Sequence, residues 1–218
     1  MKERIEEQEY RAIYNFLSEK KCPFEITPIS EPNEFYGALL PKWDLSVFKH
    51  ESFDFDFPSV KNTIQRIRRL DLSGLETWTG SLPFSFRFFS SLEVLSFNSS
   101  DFVVLPYFNT LPKLKYLDLS DLPGLWFYPK FDGLENLEVL VLRFLVIDRD
   151  MFSDDMFSSL VGLRVLDLRN SFISNFSFFK SLEGLKNLEY VDLRGADYTK
   201  PIPSLDCEIL TGLDLGYL

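Results

Sequence analysis

Histidine is almost absent from this chain. His50 is the only one in 218 residues, which removes most nucleophile–base pairs and histidine-rich metal sites at once. Cysteine is nearly as scarce. Cys22 and Cys207 lie near opposite ends, without zinc or redox spacing, and two cysteines make no disulfide framework. Free buried thiols in a reducing compartment are the simpler reading. No glycine-rich phosphate loop of the G-x-x-x-x-G-K or G-x-G-x-x-G kind occurs. No apolar run is long enough to span a bilayer, and "MKERIEEQEY" has no apolar core of a secretory leader. Positive charge is also short: 23 Lys and Arg stand against 33 Asp and Glu, a net charge of -10 that repels phosphate backbones and anionic membranes. These absences lead us to expect a cytoplasmic, non-catalytic protein with no cofactor and with neither nucleic acid nor membrane as partner.

What is abundant is phenylalanine, 23 residues of it, so the core has to accommodate flat, bulky rings. Apolar triplets then recur in one spacing, three positions and then two. They are Ile67/Leu70/Leu72, Leu92/Leu95/Phe97, Leu114/Leu117/Leu119, Leu137/Leu140/Leu142, Leu163/Leu166/Leu168, Leu188/Val191/Leu193 and Leu210/Leu213/Leu215. Their first members are separated by 25, 22, 23, 26, 25 and 22 residues, and an apolar or thiol residue precedes each by three positions. Alternate side chains of a strand point to opposite faces, so Leu166 and Leu168 face one way while Val165, Asp167 and Arg169 face the other. One such unit cannot bury its leucines alone, but a stack of them can.

This pattern resembles the leucine-rich repeat family over about residues 64–218. The resemblance implies an α/β solenoid: one short parallel strand per repeat, a curved sheet, and loops or short helices on the convex side. Repeats of the family often carry Asn three residues after the last strand leucine. Here that column reads Leu75, Ser100, Leu122, Leu145, Ser171, Ala196 and Leu218, so the turn amides need other partners. Prolines at Leu82-Pro83, Leu105-Pro106, Pro129 and Ile202-Pro203 turn the chain after the strands. The segments "DDMFSSLVGL" and "FSFFKSLEGLKNL" predict short convex helices, with Phe152, Phe157, Phe176, Phe178 and Phe179 filling the core of the longer repeats. In "GLWFYPK", Phe127 and Phe131 are expected inward and Trp126 and Tyr128 outward.

Residues 1–62 lack the repeat and read as a cap, with the solenoid occupying 63–218. Ile5, Tyr10, Ile13, Phe16 and Leu17 mark an amphipathic helix over the first repeat. "CPFEITPISEPNEF" reads as an extended connection, and Phe53, Phe55 and Phe57 alternate with Asp54 and Asp56 as a strand that protects the edge of the first repeat. The sequence ends at Leu218 directly after the seventh triplet, so we expect either a homodimer through that C-terminal edge or a longer solenoid.

Two acidic clusters stand out. Of these, Asp54 and Asp56 echo a D-x-D metal motif that strand alternation explains more cheaply. "DRDMFSDD" begins like a calcium loop, but Ser153 and Ser159 replace the glycine and the bidentate glutamate it needs, which leaves a solvated loop and no metal site. On the outward strand positions one column reads Asp71, Ser96, Asp118, Val141, Asp167, Asp192, Asp214, and two residues on the next reads Ser73, Asn98, Ser120, Arg143, Arg169, Arg194, Gly216. Three arginines in register repel one another unless carboxylates or a ligand neutralise them. With Tyr116 and Tyr190 beside them, the candidate partner-binding face comprises Tyr116, Asp118, Arg143, Asp167, Arg169, Tyr190, Asp192 and Arg194. Seven strands span about 34 Å, a scale that suits a protein partner. The expected function is a rigid protein-binding scaffold or adaptor. The alternatives are the recognition subunit of a ligase or phosphatase complex, and a structural protein that self-assembles through its C-terminal edge. Glutamate at positions 169 and 194 is expected to weaken partner capture while leaving stability nearly unchanged.

Overall fold

The computed structural model describes residues 2–19, 24–25, 61, 64–75, 86–128, 130–148, 152, 155–174, 177–198 and 212–214. The expectations attached to Cys22, His50, Cys207, the Phe53–Phe57 alternation, Phe176 and the residues after Asp214 fall outside them.

Each triplet holds a strand of three residues. They are β2 (Arg69–Asp71), β3 (Val94–Ser96), β4 (Tyr116–Asp118), β5 (Val139–Val141), β7 (Val165–Asp167), β9 (Tyr190–Asp192) and β11 (Gly212–Asp214). All pair in parallel with matching register, so that Leu70, Leu95, Leu117, Leu140, Leu166, Val191 and Leu213 are successive Cα partners. The leucines turn inward together: Leu70, Leu95, Leu117, Leu140 and Leu166 are fully buried in one continuous cluster. A second parallel sheet, β6 (Val146–Ile147), β8 (Phe172–Ile173) and β10 (Asp197–Tyr198), follows the main strands of three consecutive repeats.

Between strand and return segment the backbone makes one left-handed step per repeat. Gly74, Ser99, Asp121, Phe144, Asn170 and Gly195 have φ between 51° and 68°. The N–H groups of the first five donate to the next repeat, as in Asp121 N to Arg143 O at 3.0 Å and Phe144 N to Arg169 O at 3.1 Å. Serine takes over where the family's asparagine is missing. Ser100 Oγ donates to Leu72 O at 2.7 Å and accepts from Leu75 N at 3.4 Å; Ser171 Oγ does the same for Leu142 O and Leu145 N at 2.9 and 3.2 Å.

The phenylalanines form a spine along the solenoid axis. Phe86, Phe97, Phe108, Phe131, Phe157 and Phe178 follow one another with ring centroids 5.1–6.4 Å apart. All but Phe97, the last member of its strand triplet, lie on return segments, which are mostly turns and short 3-10 helices (Phe86–Phe88 and Phe108–Thr110), with one α-helix among the described residues, α2 (Ser177–Leu182). Residues 155–159 of the other predicted helix are turns instead, although Phe152 and Phe157 are buried as expected. The expectation for "GLWFYPK" is corrected at two positions: Phe127 is exposed and Tyr128 is buried. The chain bends at Trp126, which breaks the alternation, and Tyr128 gains a stacked partner in Phe152 at 4.7 Å and an acceptor in Leu119 O at 3.5 Å.

The helix α1 (Lys2–Glu19) closes the first repeat. Tyr10, Ile13 and Phe16 belong to the leucine core, and Tyr10 meets Phe88 with centroids 4.5 Å apart. Ion pairs Lys61–Glu6 and Arg87–Glu9 fix the helix at 2.6 and 2.7 Å. The edge of β2 is occupied by β1 (Phe24–Glu25), antiparallel, so a piece of the stretch read as a connection supplies the protecting strand.

Candidate functional site

The eight candidate residues do share one face. Register makes Asp118, Val141, Asp167 and Asp192 neighbours across four strands, and Tyr116, Val139, Val165 and Tyr190 neighbours in the adjoining column. They differ sharply in exposure. Asp167 and Asp192 are 0% exposed, Asp118 5% and Tyr116 6%, whereas Arg143, Arg169, Arg194 and Tyr190 reach the surface.

The aspartates are buried because they hold the turn. Each accepts the backbone N–H two residues on: Ser73 to Asp71 at 2.9 Å, Ser120 to Asp118 at 2.9 Å, Arg169 to Asp167 at 3.1 Å and Arg194 to Asp192 at 3.1 Å. The arginines then fold over them. Arg169 Nη2 lies 2.8 Å from Asp167 Oδ2, and Arg194 Nη2 lies 2.6 Å from Asp192 Oδ2. Lateral pairs join the rungs, with Arg169 to Asp192 at 3.5 Å and Arg143 to Asp118 and Asp167 at 3.5 and 3.6 Å.

Three carboxylates therefore meet three guanidinium groups, and the crowding inferred from the arginine column is relieved within the chain. Glutamate at position 169 or 194 would face a fully buried carboxylate, so stability cannot be left unchanged as the sequence suggested. Arg143 differs from the others. Its own strand offers Val141 where the neighbours offer aspartate, and its Nε is buried without a hydrogen-bond acceptor.

Burial raises the pKa of Asp118 above its ordinary value, against hydrogen bonds from Ser120 and the charge of Arg143 that lower it. Tyr116 is pushed well up for the same first reason, with Asp118 adding to it. It packs in a separate apolar cluster with Val94, Val139, Val141 and Val165, so it stiffens the wall and is no surface anchor.

One feature of the face escaped the sequence reading. The residue just before each of the first six main strands alternates in sign along the sheet: Arg68, Glu93, Lys115, Glu138, Arg164, Glu189. Arg68 pairs with Glu93 at 2.8 Å and Arg164 with Glu189 at 2.8 Å, while Glu138 stands 3.8 Å from Lys115 and 3.9 Å from Arg164. Reading that column down the repeats would have found it. The valine and tyrosine strip thus runs between two charge ladders. Among the described residues no cluster of His, Cys, Asp or Glu could hold a metal ion, and no helix is long and apolar enough to cross a membrane.

No protein-family model matches the sequence, and no curated protein matches it. Solved structures do. TLR13, crystallised in complex with ssRNA13, is 26% identical with a TM-score of 0.54, over 73% of this chain and 23% of that one. The chain thus spans less than a quarter of that protein's length. An internalin (InlF) from Listeria monocytogenes aligns at 14% identity and a TM-score of 0.34 over 60% of this chain and 49% of its own. Human 5T4 aligns at 23% identity and 0.32, over 50% and 52%.

Proposed function

This chain is a leucine-rich repeat protein, and from that premise we propose that it is a non-catalytic scaffold or adaptor that binds a protein partner on its concave sheet face. The observation that carries the reading is the cross-strand network in which Arg143, Arg169 and Arg194 are held by Asp118, Asp167 and Asp192. Side chains fixed in this way lose little entropy when a partner arrives, so a few anchors suffice for affinity. Arg143, held by longer contacts of 3.5 and 3.6 Å to Asp118 and Asp167 and with a valine in place of its own carboxylate, is the first anchor, and Tyr190 the second. A net charge of -10 disfavours nucleic acid, which distinguishes this reading from the RNA complex of TLR13. The low cysteine count fits a cytoplasmic setting.

A photo-crosslinking residue at Asn98 or Tyr190, on the concave side, tests the proposal against the same residue at Lys186 on the return side. In native lysate the concave positions are expected to give a discrete adduct that Arg143→Met abolishes. Equal labelling from both sides, or adducts indifferent to Arg143→Met, would reject the concave face as the site. An adduct that carries catalytic activity would place the chain as the recognition arm of an enzyme complex.

A further inference from the structure

A second surface lies outside the concave wall, at the turns that follow the strands. Five of the six left-handed positions carry residues suited to them: Gly74, Ser99, Asp121, Asn170 and Gly195. The remaining one is Phe144, at φ 57°, where a bulky side chain strains against its own backbone. Its ring is not used in the core, since Phe144 is 58% exposed. A residue that is both strained and solvent-facing contributes little to folding, and the strain points toward binding.

Its surroundings extend the argument. Val146, two residues on, is Cα partner to Phe172 in the small parallel sheet, and both side chains face outward at 56% and 37% exposure. Phe172 is in turn partner to Asp197, also exposed. On the other flank, Asp121 precedes Phe144 in the column of left-handed turns and is held by Ser99 Oγ at 2.8 Å. Three apolar side chains on adjacent rungs are thus bracketed by a carboxylate at each end, and neither Asp121 nor Asp197 has a cationic partner among the described residues.

We infer that this rim, built from Phe144, Val146 and Phe172 between Asp121 and Asp197, docks a cationic amphipathic segment of a protein partner, with two Lys or Arg side chains flanking apolar ones. The carboxylates stand three rungs apart, roughly 15 Å, which an extended segment spans with about four residues between its basic groups. A second copy of this chain is the poorer occupant: a two-fold contact would set the same carboxylates against each other.

The inference concerns a different surface from the concave face and is tested separately. Fluorescein-labelled peptides with two lysines separated by two to six apolar residues, and their glutamate counterparts, are titrated into the full chain by anisotropy. Saturable binding is expected for the lysine series, strongest near a spacing of four. Phe144→Gly is expected to weaken it at least tenfold while the melting temperature stays level or rises, because glycine relieves the left-handed strain. Asp121→Asn with Asp197→Asn is expected to flatten the spacing optimum, and Lys186→Ser, on the return side, to leave binding unchanged. Absence of saturable binding, equal affinity for the glutamate series, or indifference to Phe144→Gly would overturn the inference. So would a concentration-dependent dimer mass that Phe172→Ser abolishes, since the occupant would then be a second copy.

Discussion

Arg169 closes over Asp167 of its own strand: Nε donates to both carboxylate oxygens at 3.0 and 3.1 Å, and Nη2 to Oδ2 at 2.8 Å. The carboxylate beneath is fully buried and also binds the Arg169 N–H at 3.1 Å. The pair is therefore one unit with the turn. A buried charge stripped of its partner is costly, and Arg143 at 3.6 Å compensates only in part.

Arg169→Met is expected to destabilise the chain by about 2–3 kcal/mol. Asp167→Asn keeps an acceptor for the turn but removes the charge, so Asp167→Asn with Arg169→Met should cost less than the two single losses added together. Urea denaturation of the four variants of the cycle measures the difference. Strict additivity would show that the pair does not act as a unit.

The phenylalanine spine gives a second expectation. Phe131 lies between Phe108 at 6.3 Å and Phe157 at 5.6 Å and is fully buried. Phe131→Ala should cost about 3–5 kcal/mol through lost transfer energy and a cavity in the middle of the stack. Because each repeat touches only its neighbours, a defect there should also split the transition, and the apparent m-value should fall. A parallel shift of the urea curve with unchanged slope would argue against separable halves.

The reasons why some features were legible in the sequence and others were not are physical. The spacing of Leu163, Leu166 and Leu168 repeats with the strand period, and the inward set followed directly; each of the three is fully buried. Asp167 and Arg169 were placed on the correct face, but alternation says nothing of depth, and only the fold-back of the guanidinium buries the carboxylate. Phe127 and Tyr128 were exchanged because the bend at Trp126 interrupts the alternation locally, while Phe131, farther on, is buried as expected. The strand at Phe24–Glu25 is two residues long and lies among prolines, too short to leave a periodic signal.

The alternating ladder at the strand openings predicts a salt-dependent effect. Glu138 sits between Lys115 and Arg164, with 29% of its side chain exposed. Glu138→Lys puts three cations on consecutive rungs about 4.8 Å apart. The expected loss is about 1 kcal/mol at low ionic strength, shrinking as salt rises to screen the repulsion. Thermal unfolding at about 20 mM and about 500 mM salt, between which the Debye length shrinks roughly fivefold, reads it out. A loss that does not vary with salt would mean that packing of the side-chain stem, and not charge, is what Glu138 supplies.

Asp118 carries the pH expectation. Burial first, then the Asp167 charge, raise its pKa in the fold above the ordinary carboxyl value of 3.8. Between 3.8 and that raised value the folded state binds more protons than the unfolded one, so this group's contribution to stability falls as pH rises through the window. Asp118→Asn keeps an acceptor for the Ser120 N–H, which now bonds Oδ1 at 2.9 Å, but cannot ionise. The stability of the variant relative to the parent chain should therefore increase from acid toward neutral pH and level off above the raised pKa. Glu189 works in the opposite direction, its pKa held down first by the hydrogen bond from Arg164, so the comparison has to be made between Asp118→Asn and parent at each pH and not along one curve. A difference that stays flat across the window would mean that the attraction of Arg143 at 3.5 Å cancels burial at Asp118, and one that falls with pH would mean that it outweighs burial.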